Sequence, residues 1–337
     1  MRRHLLALPL TVVTLACNTA SDTELRWSAD TLYASATLLR DLTDPANATL
    51  LRRPMAVRTA SGLYFVSDVD ADRVAVLDST AALVRMIGHR GRGPGELLGT
   101  SHIATRNDRL FVSEALNGRI SEFTLRGEFV RSYASPFAAG ALALTATRIY
   151  AAARSSTHYA ALVDGRSEPR NALRRASPPA RDAHIRADRG ADLIAADSAE
   201  AWVFDVNAGS LCEYAHADRA RRCVRFPRAL LSRLREYRNE RVAAVEKAKH
   251  VRVTMAPMAK DMVRVGTLLA ILLPLPELGI VLVDPDDGAL TPVLLREGAM
   301  PSWVRAARGL AWTGRGFVLA GDYGVGRLDL SPVPSDK

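Results

Sequence analysis

A pattern that returns with an offset of 46 residues constrains this chain more than any other feature. Phe65-Val66-Ser67-Asp68 reappears as Phe111-Val112-Ser113-Glu114, Arg73-Val74 as Arg119-Ile120, and Leu83-Val84-Arg85 as Phe129-Val130-Arg131. A partial third copy runs from Phe317-Val318 through Asp322 to Arg327. In each copy an acid precedes an arginine by five residues. A period of about 40 to 50 residues built of short apolar strands is that of radially stacked blades, one per repeat. The expected fold is all-β: a six-bladed β-propeller with an inserted α-helix between blades four and five.

Six strand clusters follow in order. They cover about residues 54–87, 101–133, 140–175, 192 to the segment around Cys212 and Cys223, 263–295, and 306–330. Residues 25–39 are expected to add a strand to the last blade and close the ring, which removes a free sheet edge. Pro227 opens a stretch of about 228–250 in which Leu230, Leu231, Leu234, Tyr237, Val242 and Val245 recur at three-to-four spacing, the period of a helix. Pro at a helix start is comfortable because the first amides have no partner inside the helix. Residues 166–189 are polar and arginine-rich and read as a solvated excursion of blade three. The apolar run 265–283 is broken by Pro274, Pro276 and Glu277, so it reads as two buried strands and a turn rather than a membrane span.

The first residues have the pattern of an export signal: Arg2 and Arg3, then an apolar run to Ala16. Thr14-Leu15-Ala16-Cys17 resembles the lipobox of bacterial lipoproteins, which implies cleavage before Cys17 and lipidation on it. The domain expectation is therefore a signal over 1–16, a lipidated tether over 17–24, and the propeller over 25–337. That resemblance implies an exported protein on the periplasmic face of the membrane or the cell surface, with the outer membrane favoured by Asn18. With Cys17 carrying lipid, Cys212 and Cys223 remain as a pair in an oxidising compartment, on two strand-like segments around a polar turn, and a disulfide between them is expected. The formal charge of +9 comes mostly from arginine and is modest for 337 residues. No zinc-finger, helix-turn-helix or aromatic-interleaved basic stripe accompanies it, so no nucleic-acid partner is expected.

Residues 64–77 and 110–123 are similar to the NHL repeat, with a strand ending in an acid, a short loop, an arginine and a second strand. Gly88-His89-Arg90-Gly91-Arg92-Gly93-Pro94-Gly95-Glu96 resembles the connector between blades in that family and in bacterial six-bladed propeller lipoproteins. It lacks the Gly-Lys-Ser/Thr ending of a phosphate loop. Blade connectors and the loops between second and third strands share one face of a propeller. That face carries His89, Arg90, Arg92, Asp70, Asp72 and Asn117, which are candidate ligand contacts by position. The repeated acids and arginines are expected to be structural ion pairs: Asp68 with Arg73, Glu114 with Arg119, and Asp322 with Arg327.

No catalytic constellation stands out. The seven histidines are scattered, and a GxSxG elbow is absent. The expectation is a non-catalytic binding or scaffolding propeller, its partner an envelope protein, a polysaccharide or a small ligand, held to the membrane by lipid. Related propellers include amidating lyases and lactonases with metals on the axis. The alternative is accordingly a metal-dependent envelope hydrolase or lyase with its site at the mouth of the axial channel. No cofactor is predicted; a divalent cation on the axis belongs to that alternative, and no residue is assigned to it.

Overall fold

A computed structural model describes residues 23–331, apart from 48, 136–140, 153–157, 164–169, 175–192, 198, 207, 216–218, 250–257 and 299. The signal-like run, Cys17 and the tether as far as residue 22 lie outside the described residues, as does most of the arginine-rich stretch. Three strands lead the described chain: β1 (Thr23–Glu24), β2 (Arg26–Trp27) and β3 (Leu32–Asp41). Blade one is β4 (Pro54–Ala60), β5 (Leu63–Asp68), β6 (Arg73–Leu77) and β7 (Leu83–Ile87). Blade two is β8 (Thr100–Arg106), β9 (Arg109–Glu114), β10 (Arg119–Thr124) and β11 (Phe129–Ala134). Blade three is β12 (Leu142–Leu144), β13 (Ile149–Ala152), β14 (His158–Val163) and β15 (Arg170–Arg174). Blade four is β16 (Leu193–Ala196), β17 (Glu200–Asp205), β18 (Ser210–Ala215) and β19 (Arg222–Arg225), followed by helix α1 (Arg228–Lys249). Blade five is β20 (Asp261–Val265), β21 (Leu268–Leu272), β22 (Ile280–Asp284) and β23 (Ala289–Leu295). A single helical turn, α2 (Ser302–Arg305), precedes blade six: β24 (Ala307–Trp312), β25 (Gly316–Gly321) and β26 (Gly324–Ser331), completed by β3.

The fold is thus a six-bladed β-propeller with one long inserted helix. The inner strands β4, β8, β12, β16, β20 and β24 each touch the next, and β24 touches β4, which closes the ring. Middle strands such as β5, β6, β22 and β25 are buried on both faces, so their sequences run apolar almost without a break. In β5, Tyr64 and Val66 join the core shared with blade six, whereas Phe65 joins the core shared with blade two. Period-two alternation, with side chains pointing to opposite faces, therefore sorts residues between two neighbouring interfaces instead of between core and water. Six such apolar clusters fill the six seams between blades.

The N-terminal segment does more than complete one blade. β1 pairs in parallel with β19 of blade four and β2 in parallel with β23 of blade five. The start of β3 pairs with the end of β23, and its whole length pairs antiparallel with β26 from Tyr33↔Ser331 to Asp41↔Gly324. One segment stitches the outer edges of three blades. Its first two residues, read as tether, are part of that stitching.

Helix α1 packs Leu230, Leu231 and Leu234 into the seam between blades four and five. Gly209, in the β17–β18 turn, has φ of +66°, and a Cβ there would lie 2.0 Å from Leu231 Cδ2. Both the left-handed backbone and the close approach of the helix require glycine. Cys212 and Cys223 face each other across β18 and β19 and are disulfide-bonded, with Cα atoms 4.1 Å apart. The apolar run after Gly266 forms β21 and β22, joined by a turn through Pro274 and Pro276. Among the described residues no helix is long and apolar enough to cross a membrane.

Candidate functional site

The repeated acids do structural work on the connector face. Asp68 and Glu114 are fully buried, each directly opposite its arginine: Asp68↔Arg73 and Glu114↔Arg119. The Asp68 carboxylate accepts the backbone amides of Arg52 and Arg53 at 2.9 and 3.0 Å; Arg73 Nε lies 3.9 Å from it. Arg73 donates instead to the carbonyls of Thr49 and Leu50. Glu114 accepts Leu98 N, Asn117 Nδ2 and Arg119 Nε, the last at 2.9 Å. Arg119 also donates to the carbonyls of Arg92, Gly93 and Glu96. In both blades the acid holds amides, and the arginine carbonyls, of the connector that enters the same blade.

The third copy corrects the expected pairing. The β25–β26 hairpin closes with Gly321 opposite Gly324, leaving Asp322 and Tyr323 as a two-residue loop. Arg327 then faces Val318, not Asp322, and its guanidinium meets Asp329 at 2.7 Å. Asp322 is taken by Arg308, which donates to its two oxygens at 3.0 and 2.7 Å. The shorter hairpin is the reason: it moves the acid out of register with the arginine. In the first two copies the corresponding loop has four residues.

The candidate ligand contacts of the connector face are placed in local pairings. Arg90 lies 3.7 Å from Asp72, Arg53 meets Asp70 at 3.0 Å, and His89 lies 3.5 Å from Glu96. Asp72 also accepts the amides of Gly99 and Thr100, and Asn117 donates to Gly91 O. The Arg92 carbonyl receives Arg119. The structure gathers all of these but Asp70 around the blade-one-to-two connector, and Asp70 beside the segment that enters blade one.

On the axis itself a cavity of about 470 Å³ opens on the same face. It is lined from the starts of inner strands by Met55 (β4), His102 (β8), Arg308 (β24) and Lys260, the residue before β20. Asp322 and Tyr323 come from the β25–β26 loop, Arg305 from α2, and Tyr237, Arg238 and Arg241 from α1, which roofs one side. Lys260 Nζ donates to the Arg305 carbonyl at 2.5 Å. Burial, with Arg308 and Arg241 nearby and Asp322 in opposition, pushes the Lys260 amine down to about 8. The His102 ring has Nδ1 enclosed without a hydrogen-bond partner among the described residues. Burial, opposed by Asp261 and aided by Arg58, pushes this imidazole down to about 4, so it is neutral at physiological pH.

A smaller cavity of about 140 Å³ lies further along the inner strands, lined by Arg58, Thr105, Leu144, Ala196 and Arg264 among others. Arg58 donates to Asp261 through both Nη atoms at 2.8 and 3.2 Å, and also to the carbonyls of Val57 and Leu310. Asp261 directly follows Lys260 in sequence.

Sequence reasoning missed Lys260, Arg308, Arg241 and His102. They share no spacing with one another. The signal that finds them is positional: His102, Lys260 and Arg308 each stand in the first residues of an inner strand or just before it.

The described residues contain no group of three His, Cys, Asp or Glu side chains placed to hold a metal ion. Among the described residues that line the axial cavity the one carboxylate, Asp322, is already bound to Arg308, and the remaining charges are cations. By themselves these described residues do not fit a divalent cation.

No protein-family model matches the chain, and no functionally curated protein matches it in sequence. Solved structures do match in fold. A virginiamycin B lyase from Staphylococcus aureus is similar over 82% of this chain and 80% of its own, with a TM-score of 0.51 and 10% identity. A streptogramin B lyase is similar over 89% of this chain and 98% of its own, with a TM-score of 0.51 and 9% identity. A putative exported protein from Bacteroides fragilis is similar over 92% and 98%, with a TM-score of 0.54 and 10% identity. At such identities the likeness is one of fold. It nonetheless corrects the expectation of a non-catalytic scaffold and the leaning against an enzyme: propellers of this shape include lyases, and the axial cavity holds side chains able to move protons.

Proposed function

We propose that this chain is an enzyme of the lyase or hydrolase type that works by proton transfer in the axial cavity. One observation carries the reading: a single cavity on the propeller axis gathers a lysine, a neutral histidine and several arginines from three blades and two helices. The similarity in fold to two lyases supports it.

Lys260 is the base. An amine ordinarily near 10.5 is protonated at neutral pH and takes up no proton; at about 8 a usable fraction is free. Nζ is anchored on the Arg305 carbonyl, which leaves its lone pair for a proton from substrate or from a water molecule. Arg308, fixed by its two bonds to Asp322, presents cationic charge where negative charge grows on the substrate. The proton that Lys260 takes is returned by it to the departing group, while neutral His102 lines the same cavity as a hydrogen-bonding group.

The reading extends to location. The lipobox-like Thr14–Cys17 and the NHL-like blades one and two support an exported propeller tethered by lipid at Cys17.

The test is turnover. Ester, lactone and uronate substrates are incubated with the full chain between pH 6 and 9, and products are followed by mass spectrometry. Lys260→Met is expected to lose roughly 10²–10⁴-fold in rate with an unchanged circular-dichroism spectrum. Wild-type rates in both Lys260→Met and His102→Gln would overturn the reading.

A further inference from the structure

We infer that the ligand of the axial cavity is a small molecule with two or more carboxylate or phosphate groups, gripped between the propeller and helix α1. The inference rests on the axial cavity being the functional site. Its own ground is the charge and the two-sided build of that cavity.

Arg238 and Arg241 enter from the helix; Lys260, Arg305 and Arg308 enter from blades five and six and the turn before blade six. Among the described lining residues Asp322 is the one carboxylate beside Arg241, Lys260, Arg305 and Arg308, and both its oxygens are engaged by Arg308. Cations that share a partly enclosed space repel one another, and water screens them less there than at an open surface. The lowered affinity of Lys260 for its proton, with Arg308 and Arg241 among its causes, is that repulsion felt at one atom. An anionic guest removes it. Guanidinium groups recognise carboxylate and phosphate through paired donors, which gives geometry as well as charge. Because the cations stand on two walls, one anionic group satisfies one wall and leaves the other. A volume of about 470 Å³ suits a small-molecule ligand of this kind.

Direct binding to the full chain tests this. The probes are tricarballylate, succinate, inorganic phosphate and uncharged dimethyl succinate, titrated calorimetrically at pH 7 in 50 mM and 300 mM salt. Tricarballylate is expected to bind about tenfold more tightly than succinate, with dimethyl succinate silent and affinity falling as salt rises. A phosphate affinity above that of succinate would assign the guest's anionic groups as phosphates; the reverse order assigns them as carboxylates. Arg241 is exposed on its helix, so Arg241→Ala keeps the fold, and it is expected to weaken tricarballylate about tenfold. Bound tricarballylate is also expected to slow reductive methylation of Lys260, read by peptide mass spectrometry. Equal affinity for charged and neutral probes, or an unchanged affinity in Arg241→Ala, overturns the inference. Tight binding of acidic probes together with no turnover of any substrate overturns the catalytic reading alone. Turnover without binding of any acidic probe overturns this inference alone.

Discussion

Arg58 of blade one holds Asp261 of blade five across the inner strand of blade six, through two hydrogen bonds of 2.8 and 3.2 Å. The pair is nearly buried, with 13% and 6% of the two side chains exposed. Both ends are also bonded to β24, since Arg58 donates to Leu310 O and Asp261 accepts Leu310 N. Removal of one partner leaves a buried charge uncompensated, which typically costs about 3–5 kcal/mol. Asp261→Ala is therefore expected to lower stability by about that amount in urea unfolding. A cost below about 1 kcal/mol would show the pair to be dispensable for ring closure.

His102 sits beside that pair and senses it. An imidazole ordinarily near 6.5 is held at about 4 in the folded chain, first by burial. Between those two values the unfolded chain binds more protons than the folded one, so stability rises with pH through the window and is lost as pH falls to 4. The full swing is roughly 3 kcal/mol. His102→Gln is expected to flatten the stability profile between pH 4 and 6.5 relative to wild type, measured by denaturant midpoints at each pH. An identical slope in the variant refutes the assignment.

Lys260 is expected to react with amine reagents as a group half-free near pH 8, well below the ordinary 10.5. The sign for stability follows the same logic. The folded chain carries fewer protons on this amine from about pH 8 to 10.5, so stability gains across that range and the penalty for charging it is complete below 8. Site-resolved labelling rates against pH check the value. A Lys260 midpoint near 10.5 would remove the base from the proposed chemistry.

Asp68 and Arg73 are not equal halves of a pair. Asp68 is fully buried and satisfies two backbone amides, whereas Arg73 lies 3.9 Å away and reaches two carbonyls near the surface. Asp68→Ala orphans buried donors and is expected to cost about 2–4 kcal/mol. Arg73→Ala is expected to cost about 1 kcal/mol or less. Thermal or urea unfolding of the two variants gives the comparison, and equal losses would contradict it.

The disulfide closes a loop with a sequence separation of 11. Restricting the unfolded chain over such a loop stabilises by roughly 3 kcal/mol. Cys212→Ala with Cys223→Ala is expected to unfold at correspondingly lower urea concentration, while β18 and β19 stay paired.

Blades one and two were legible because each carries the same local record: Phe65 and Phe111 stand at matching places in their second strands, each facing the next blade, and a period survives any change of ligand. The axial chemistry was not legible for a related reason. His102, Lys260, Arg308 and Arg241 meet because a ring brings distant strand starts together, and no spacing along the chain encodes a ring diameter. Loop acids such as Asp70 and Asp72 attracted notice by their motif, yet the hairpins that carry them stand away from the innermost strand. Asp322 was misassigned because two residues fewer in its hairpin change the register without changing the interval to Arg327.

The stitching of β1, β2 and β3 onto blades four, five and six sets an order in time. β3 precedes every blade strand while its partner β26 follows them all, since Ser331 must exist before Tyr33 can pair with it. The ring cannot close before blade six, with β24 beside β4 and β26 on β3, has been made. Folding of the ring therefore waits for β26 and is dominated by contacts far apart in sequence, which makes it slow. Until then β3 lacks its antiparallel partner, and an unpaired strand is a ready template for pairing with another chain.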